Sequence, residues 1–226
     1  LDPGWRPQRL VVGSGNAHKV AELDRMLRLA VPGLVVLGLR AFGEPPEIPE
    51  TADDFAGNAR LKAEGFAAWL RQVGEAGDTA VLADDSGVCV DALDGRPGVR
   101  SARFAGEGAS DEANNDELVR ELRARGLSRS PGHYRCVLAL TRVDGRAWAD
   151  AGVSRRFEGR WDVELRVERR GSGGFGYDPH AWLRVGDGAG GAGVDRTVAE
   201  LQPDEKAAIS HRGEALRALL AWLRGA

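Results

Sequence analysis

The chain has 226 residues, of which 42% are hydrophobic and 29% are charged, and its formal net charge is −3. This balance is typical of a soluble globular protein, and the negative charge argues against a protein that coats nucleic acid or binds a membrane surface. The apolar runs are far shorter than the roughly 20 residues that a membrane-spanning helix needs.

The order of the predicted elements indicates an α/β fold. Apolar spacing predicts strands at residues 9–12, 34–39, 79–83, 88–93, 133–143 and 162–167, and helices at residues 18–30, 53–72, 110–125 and at the C-terminus. Strands and helices alternate in the first half and strands cluster in the second, which favours a mixed twisted sheet with flanking helices. We therefore predict one domain over residues 1–226, built as two lobes around a central cleft.

Three segments are predicted to lack regular structure. Residues 1–8 are polar and proline-rich, so we expect a flexible extension rather than a signal peptide, and a cytoplasmic location. The sequence DDSG at residues 84–87 predicts a turn, and GDGAGGAG at residues 186–193 predicts a flexible surface insertion. Cys89 and Cys136 lie in apolar, strand-like runs and are expected to be reduced.

The sequence GSGNAHK at residues 13–19 links the first strand to the first helix and is the first candidate binding site. A helix N-terminus presents free N–H groups to anions, and Ser14, Asn16 and Lys19 add polar and charged side chains. His18 replaces the third glycine of the dinucleotide fingerprint, and no GxxxxGK[ST] motif occurs, which argues against a Rossmann cofactor site and a P-loop. The residues alone leave a plain turn and an anion site equally open.

Acidic residues and a lysine follow in the next two motifs. Glu50 precedes a helix that carries Asn58 and Lys62 at i, i+4 spacing and therefore on one face. Asp84 and Asp85 end a buried strand, where adjacent carboxylates are costly unless a cation or solvent compensates. Because Mg²⁺ is often bound through one or two carboxylates, Glu50 and Asp85 are candidate ligands, and Asp85 is also a candidate base. The alternative is a solvated acidic loop and an ordinary turn.

The sequence GSGGFGYDP near the C-terminus places two aromatic residues among glycines. Exposed rings of Phe175 and Tyr177 on such a loop would suit stacking on a planar ligand, with Asp178 accepting hydrogen bonds. The alternative is an irregular turn with aromatic anchors.

The sequence EKAAISHRGEAL leads into the final helix. Ser210 is predicted to cap this helix, which puts His211 and Arg212 in its first turn. Because the helix dipole disfavours cations there, their presence indicates a ligand contact.

Lysine is scarce in this chain, since only three of its 31 basic residues are lysines. They are Lys19, Lys62 and Lys206, and each falls inside one of the motifs described above. In a chain that otherwise uses arginine, a lysine suits contact with phosphate, because its ammonium is a compact charge. The coincidence favours one anionic-ligand site built from all the motifs.

Together the motifs resemble the Ham1-like inosine triphosphate pyrophosphatase family, the XTP/dITP diphosphatases. The resemblance spans nearly the whole chain, through SGNAHKVAEL, ETADDFAGNARLKAE, ADDSGVCVDALDGRPGVRSARFAG, GSGGFGYDP and EKAAISHRGEAL. It implies a two-lobed α/β enzyme, usually a homodimer, that uses Mg²⁺ to hydrolyse ITP, dITP and XTP to the monophosphate and pyrophosphate. The alternatives are a related pyrophosphatase for other modified nucleotides and a nucleotide-binding regulator without turnover.

The resemblance also implies roles for individual residues. The triphosphate would be held by Lys62 and by Ser14, Gly15, Asn16, Ala17, His18 and Lys19. Asp85 would activate water and bind Mg²⁺ together with Glu50, and Ser86 would contact the substrate. The nucleoside would be bound by Phe175, Gly176, Tyr177, Asp178, Lys206, His211 and Arg212.

Three positions depart from the family pattern. Gly57 stands where the family usually has a glutamate before Asn-Ala, so that carboxylate is absent here. Arg100 replaces a common tyrosine, and residues 180–182 replace an apolar–aromatic pair. The last two departures could alter a dimer contact or the rim of the cleft.

Overall fold

The computed structural model describes residues 5–15, 17–75, 77–148, 151–184 and 195–225, apart from the side chains of Ala17, His18 and Leu29. The described strands are β1 (Arg9–Val12), β2 (Val35–Gly38), β3 (Thr79–Val90), β4 (Arg129–Arg142), β5 (Ser154–Arg166) and β6 (Ala181–Leu183). The described helices are α1 (Ala17–Ala30), α2 (Phe55–Gln72), α3 (Asp111–Ala124), α4 (Pro203–Ile209) and α5 (His211–Arg224). Short 3₁₀ helices occur at Leu39–Phe42, Asp91–Leu93, Gly98–Arg103 and Val198–Glu200.

The strands form one mixed sheet in the order β2-β1-β3-β4-β5-β6. β1 pairs in parallel with β2 and with β3, as expected for strands joined through helices, whereas β5 and β6 are antiparallel. The predicted α/β fold with a mixed sheet and flanking helices is therefore confirmed.

The turn predicted at DDSG is wrong. β3 continues without interruption from Thr79 to Val90, so residues 84–87 lie inside a strand. Asp-Ser-Gly favours turns when it is exposed, but Asp84 and Asp85 are buried and β3 has β4 as a neighbour in the sheet, so burial and strand pairing override local preference. Asp84 and Asp85 therefore extend from a paired and rigid backbone.

The chain divides into two compact units. The first takes the described residues of Leu1–Asp85, Val137–Glu158 and Ala215–Ala226, and the second those of Ser86–Cys136 and Gly159–Glu214. A single domain over both units, as the sequence predicts, stays a prediction.

The first unit has a core in which α2 packs against the parallel strands. Its buried apolar residues are Val11, Leu39, Phe66, Ala67, Leu70, Val81 and Val143. The backbone of Gly13, just after β1, lies so close to α2 that a Cβ there would stand 2.9 Å from a ring carbon of Phe66. Glycine is needed at this position because any side chain would push α2 away from the strand that leads to the first candidate site.

The N-terminal residues 5 and 6 belong to the first unit. The ring of Trp5 lies 5.3 Å from that of Trp148, and the guanidinium of Arg6 lies 4.2 Å from the ring of Trp222. Trp5 and Arg6 therefore have partners in the first unit, and the flexible extension predicted at residues 1–8 stays a prediction. Residues 1–4 and the predicted insertion at 186–193 lie outside the described residues.

The second unit is built on a separate apolar cluster. Its buried residues include Val88, Val90, Leu93, Leu118, Leu122, Tyr134, Trp161, Val163, Leu165 and Tyr177. They come from β3, α3, β4, β5 and the loop before β6, so this core positions the GSGGFGYDP loop.

No helix in the described part of the chain is long and apolar enough to cross a membrane.

Candidate active site

A lysine held by two carboxylates forms the centre of the candidate site in the first unit. The Nζ of Lys62 lies 2.9 Å from Oε1 of Glu50 and 3.4 Å from Oδ1 of Asp85. Lys62 comes from α2, Glu50 from the loop directly before that helix, and Asp85 from β3, 23 residues after Lys62. Only 12% of the Lys62 side chain and 7% of the Asp85 side chain are exposed, so their charges act on one another with little screening by water.

Burial and neighbouring charges shift the pKa values of this cluster. Burial raises the pKa of the Asp85 carboxyl, and the charges of Glu50 and Asp84 add to it, while Lys62 and Lys19 act against it. Burial alone would lower the pKa of Lys62, but the carboxylates of Asp85, Asp84 and Glu50 outweigh burial and raise it. Lys62 therefore stays charged, as contact with phosphate requires, and Asp85 is a more basic carboxylate than an exposed aspartate.

Asp84 contacts a different lysine from its neighbour. Its Oδ2 lies 3.1 Å from Nζ of Lys19, in the first turns of α1, and its side chain is fully buried. Because successive residues of a strand point to opposite faces, Asp84 and Asp85 each hold one lysine. Two of the three lysines of the chain are thus fixed by consecutive residues of β3.

The candidate anion turn is described only in part. Ser14 is half-buried and Gly15 is exposed, between the end of β1 and the start of α1. Asn16 and the side chains of Ala17 and His18 lie outside the described residues, so their predicted roles stay predictions.

A buried amide on α2 holds the chain segment that follows Glu50. Oδ1 of Asn58 accepts a hydrogen bond of 2.9 Å from the backbone N–H of Ala52, and Asn58 is fully buried. α2 itself begins at Phe55 and is capped by Asp54, whose carboxylate accepts from the N–H of Gly57. Cap and amide together hold the loop against the helix that carries Lys62.

Gly57 is required by this arrangement. A Cβ at Gly57 would overlap the Cβ of Ala52 and would come within 2.9 Å of the capping Asp54 carboxylate. We expect Gly57→Glu, which restores the usual family residue, to lower the free energy of unfolding by about 1–3 kcal/mol through overpacking. Arg60→Glu is the matched control, because Arg60 is exposed one turn further along α2. Denaturant unfolding of both variants measures the difference, and equal stability of the two would contradict the steric explanation.

In the second unit, Asp178 is the centre of a buried polar cluster. Its Oδ2 lies 2.6 Å from Nζ of Lys206 and accepts from the backbone N–H of Phe175 at 3.0 Å. Its Oδ1 accepts a hydrogen bond of 3.1 Å from the hydroxyl of Tyr134. Burial and the charge of Asp178 raise the pKa of Tyr134 well above its ordinary value, so the phenol remains a donor. Asp178 therefore orients Lys206 and the loop.

Two cations and an aromatic ring lie beside this cluster. The ring of Phe175 has Nζ of Lys206 at 4.7 Å and Cζ of Arg212 at 5.8 Å from its centroid. Nη2 of Arg212 donates to the Ser86 hydroxyl at 2.9 Å, and Arg212 is 1% exposed. These contacts bring together a half-buried ring, two cations and a hydroxyl, and the nucleoside site that the resemblance implies for these residues stays a prediction.

His211 lies at the start of α5, as predicted. Oγ of Ser210 accepts from the N–H of Gly213 at 3.1 Å, which confirms the predicted cap. The imidazole of His211 stacks on the ring of Tyr134, with centroids 4.9 Å apart and planes 9° from parallel. Tyr134 is thus a site residue that the sequence analysis missed, since it lies in an apolar strand pattern and only the fold brings it to His211.

The expectation of two exposed aromatic rings is wrong for Tyr177. Its side chain is buried, and its hydroxyl donates to the carbonyl oxygen of Ser101 at 2.8 Å. Gly176 next to it is held from both sides, because its N–H donates to Asp111 and its carbonyl accepts from Asn115. Tyr177 packs in the core of the second unit and anchors the loop there, because its ring has apolar neighbours and its hydroxyl has an acceptor.

The first cluster has a donor set that fits a hard divalent cation. Oδ2 of Asp85 is buried and has no hydrogen-bond partner among the described residues, and Glu50 offers a second, 30% exposed carboxylate. Mg²⁺ is usually bound through one or two carboxylates, with phosphate oxygens and water in the other positions. Across the described ranges no three His, Cys, Asp or Glu residues form a complete metal site. The residues therefore fit a cation that arrives with phosphate.

The chain is similar to known proteins over nearly its full length. The model of the Ham1 family matches residues 10–222. A dITP/XTP pyrophosphatase from Opitutus terrae is 43% identical and covers 96% of this chain and 98% of its own length. One from Exiguobacterium sibiricum is 41% identical, covering 95% and 96%. The structure of a HAM1 protein from Coxiella burnetii superposes with a TM-score of 0.78 at 34% identity, over 96% of this chain and 99% of that one.

Proposed function

The chain belongs to the Ham1 family, and we propose that it hydrolyses deaminated purine nucleoside triphosphates (ITP, dITP and XTP) to the monophosphate and pyrophosphate. Such an enzyme removes damaged nucleotides from the nucleotide pool. The observation that carries the proposal is the contact of Lys62 on α2 with both Glu50, in the loop before that helix, and Asp85 on β3. Full-length relatives named dITP/XTP pyrophosphatase support the substrate class.

The first unit supplies the groups for the phosphates and the water. Lys62, Lys19 and the turn from Ser14 to Lys19 bind the triphosphate, and Asp85 accepts the proton of the attacking water. Asp85 and Glu50 would hold Mg²⁺, consistent with the unpartnered Oδ2 of Asp85. When bound, the metal supplies charge neutralisation on the phosphate oxygens. The protein contributes position, because both lysines are fixed by carboxylates before any ligand arrives.

The second unit supplies recognition of the nucleoside. Phe175 offers a ring face to the base, and Lys206, His211 and Arg212 offer donors, with Ser86 beside Arg212. Asp178 acts as a positioning residue that fixes Lys206, and Gly176 and Tyr177 anchor the loop. Hydrogen-bond donors directed at a 6-oxo group reject a 6-amino purine, because donors would then face donors.

Arg212 gives this selectivity a direct test. We expect Arg212→Ala to reduce the ratio of ITP to ATP turnover by roughly tenfold, since an unpaired buried donor costs about 1–3 kcal/mol. The measurement is kcat/KM for both nucleotides in wild type and variant. If ITP turnover fell while the ITP/ATP ratio stayed the same, Arg212 would not be the selecting group.

Pyrophosphate release from a substrate panel tests the function itself. We expect release from ITP, dITP and XTP in the presence of Mg²⁺, and little from ATP, whose base carries a 6-amino group. Preference for a different modified nucleotide would favour a related pyrophosphatase, and binding of ITP without release would favour a regulator. Removing Mg²⁺ with a chelator, and then adding Mg²⁺, Mn²⁺ or Ca²⁺, tests which metal ion pyrophosphate release requires.

The proposal includes a cytoplasmic location and a homodimeric assembly. The substrates are free nucleotides and both cysteines are free, which supports a cytoplasmic protein. A homodimer rests on the family resemblance, and light scattering of the purified protein tests it.

A further inference from the structure

A cavity that serves none of these roles opens in the second unit beside the 3₁₀ helix Gly98–Arg103. It has a volume of about 540 Å³, within the range of small-molecule sites. Its wall includes Arg96, Arg100, Arg103, Phe104, Glu107 and Glu117. None of these residues belongs to the proposed active site, so the cavity needs an explanation of its own.

The arginines of the cavity are weakly committed to other partners. Arg100 is exposed, and its guanidinium makes no hydrogen bond or ion pair with any described residue, although its backbone N–H donates to the carbonyl of Pro97 at 3.0 Å. Arg103 pairs with Glu107 at 3.4 Å, but Glu107 is 89% exposed, and such a surface pair contributes little. Arg96 pairs with Glu121 on α3 at 3.0 Å and keeps half of its side chain exposed. An arriving anion can therefore recruit Arg100 and Arg103 at low cost.

The acidic residues of the wall do not cancel this charge. Glu117 is held by Arg120, which donates to it from Nε at 2.7 Å. This hydrogen bond lowers the pKa of Glu117 and occupies its carboxylate. Arg96 is paired with Glu121 in the same way, so the wall charges that remain are those of Arg100, Arg103 and Glu107, a net positive charge in a chain whose net charge is −3.

The helix that carries the arginines is fixed before a ligand binds. Arg100 and Arg103 are three residues apart on a 3₁₀ helix and so lie on the same side. Ser101 between them turns inward, where its hydroxyl accepts from the N–H of Val88 at 2.9 Å and donates to the carbonyl of Gly98 at 2.6 Å. These bonds tie the helix to β3, so the two guanidinium groups start from a rigid base.

We propose that this cavity binds a phosphorylated ligand, with Arg100 and Arg103 on its phosphate groups. Guanidinium groups bind phosphate through paired, charge-assisted hydrogen bonds, and two on one face suit adjacent phosphates. Phe104 is half-buried in the wall, where it packs against the core of the second unit and its ring centroid lies 6.0 Å from the guanidinium of Arg96, and the exposed part of its side chain is available to a base. The shared chemistry is a diphosphate, which inorganic pyrophosphate and a nucleoside diphosphate both present.

Calorimetric titration with pyrophosphate and with ADP tests this site on the full chain. We expect a binding event that Arg100→Tyr/Arg103→Gln weakens by about tenfold or more. Arg123→Gln, an exposed arginine on α3 outside the cavity, should leave it unchanged. Unchanged binding in the double variant, or equal weakening in the control, would overturn the proposal.

Two further measurements keep the result unambiguous. ADP binding that exceeds pyrophosphate binding, with the advantage lost in Phe104→Leu, assigns a nucleotide, whereas equal binding assigns the inorganic ion. Pyrophosphate release from ITP should be unchanged in the double variant, which shows that it is folded. If light scattering showed that the double variant changed its oligomeric state, the cavity would be an interface between copies and the proposal would fail.

Discussion

Asp85→Asn is expected to lower pyrophosphate release from ITP by about 10³-fold or more, because the substitution removes the base. The same change removes a carboxylate that would hold the metal, so the loss should appear in kcat. The amide has the shape of the carboxylate, and the backbone of β3 is held by the sheet, so the fold should persist. Steady-state kinetics and circular dichroism check both expectations.

Asp53→Asn is the matched control for this variant. Asp53 is exposed in the loop before α2, so its replacement should leave turnover close to that of wild type. Binding of ITP to the Asp85 variant should survive, since Lys19 and Lys62 remain. Turnover in Asp85→Asn within about tenfold of wild type would remove Asp85 from the role of base.

Lys206→Met is expected to destabilise the protein by about 3–5 kcal/mol, the usual cost of breaking a buried ion pair. The variant leaves Asp178, 3% exposed, with only the neutral donors of Tyr134 and the Phe175 N–H. At about 2–4 °C per kcal/mol for a chain of this size, the melting temperature should fall by roughly 6–20 °C.

The double variant Asp178→Asn/Lys206→Met separates charge from packing. Because it removes both charges, it should recover most of the lost stability. The exposed pair Arg160–Asp162 is the control, and Arg160→Met should cost less than about 1 kcal/mol. A loss in Lys206→Met no larger than in Arg160→Met would show that Asp178 does not depend on its lysine.

Local chemistry in the sequence was enough to predict some of the regular elements, but β6 was not predicted, and β5 begins at Ser154, eight residues before the predicted strand. Apolar spacing predicted α1 and α3 to within two residues, and Ser210 was recognised as a cap because its position requires only short-range geometry. The scarcity of lysine pointed to Lys19, Lys62 and Lys206, and each proved to be held by a carboxylate. Their roles toward a ligand stay predictions.

Errors arose where neighbours in space override neighbours in sequence. Residues 84–87 are typical of a turn in sequence, yet they continue β3, which has β4 as a neighbour in the sheet and pairs with β1 only as far as Leu82. Tyr177 read as an exposed ring, yet Ser101 offers its hydroxyl a buried acceptor. Residue type does not show which partner will be near, so pattern alone could not settle either position.

The sequence by itself determined the inventory of this protein: an α/β fold, two acidic residues in a buried strand, three lysines and a glycine-rich aromatic loop. Only the tertiary structure decided the pairings: Asp84 with Lys19, Asp85 with Lys62, Asp178 with Lys206. The physical reason is the separation along the chain over which each feature acts. Strand and helix periods repeat over a few residues, whereas an ion pair forms wherever packing brings two charges within about 4 Å, at any separation along the chain.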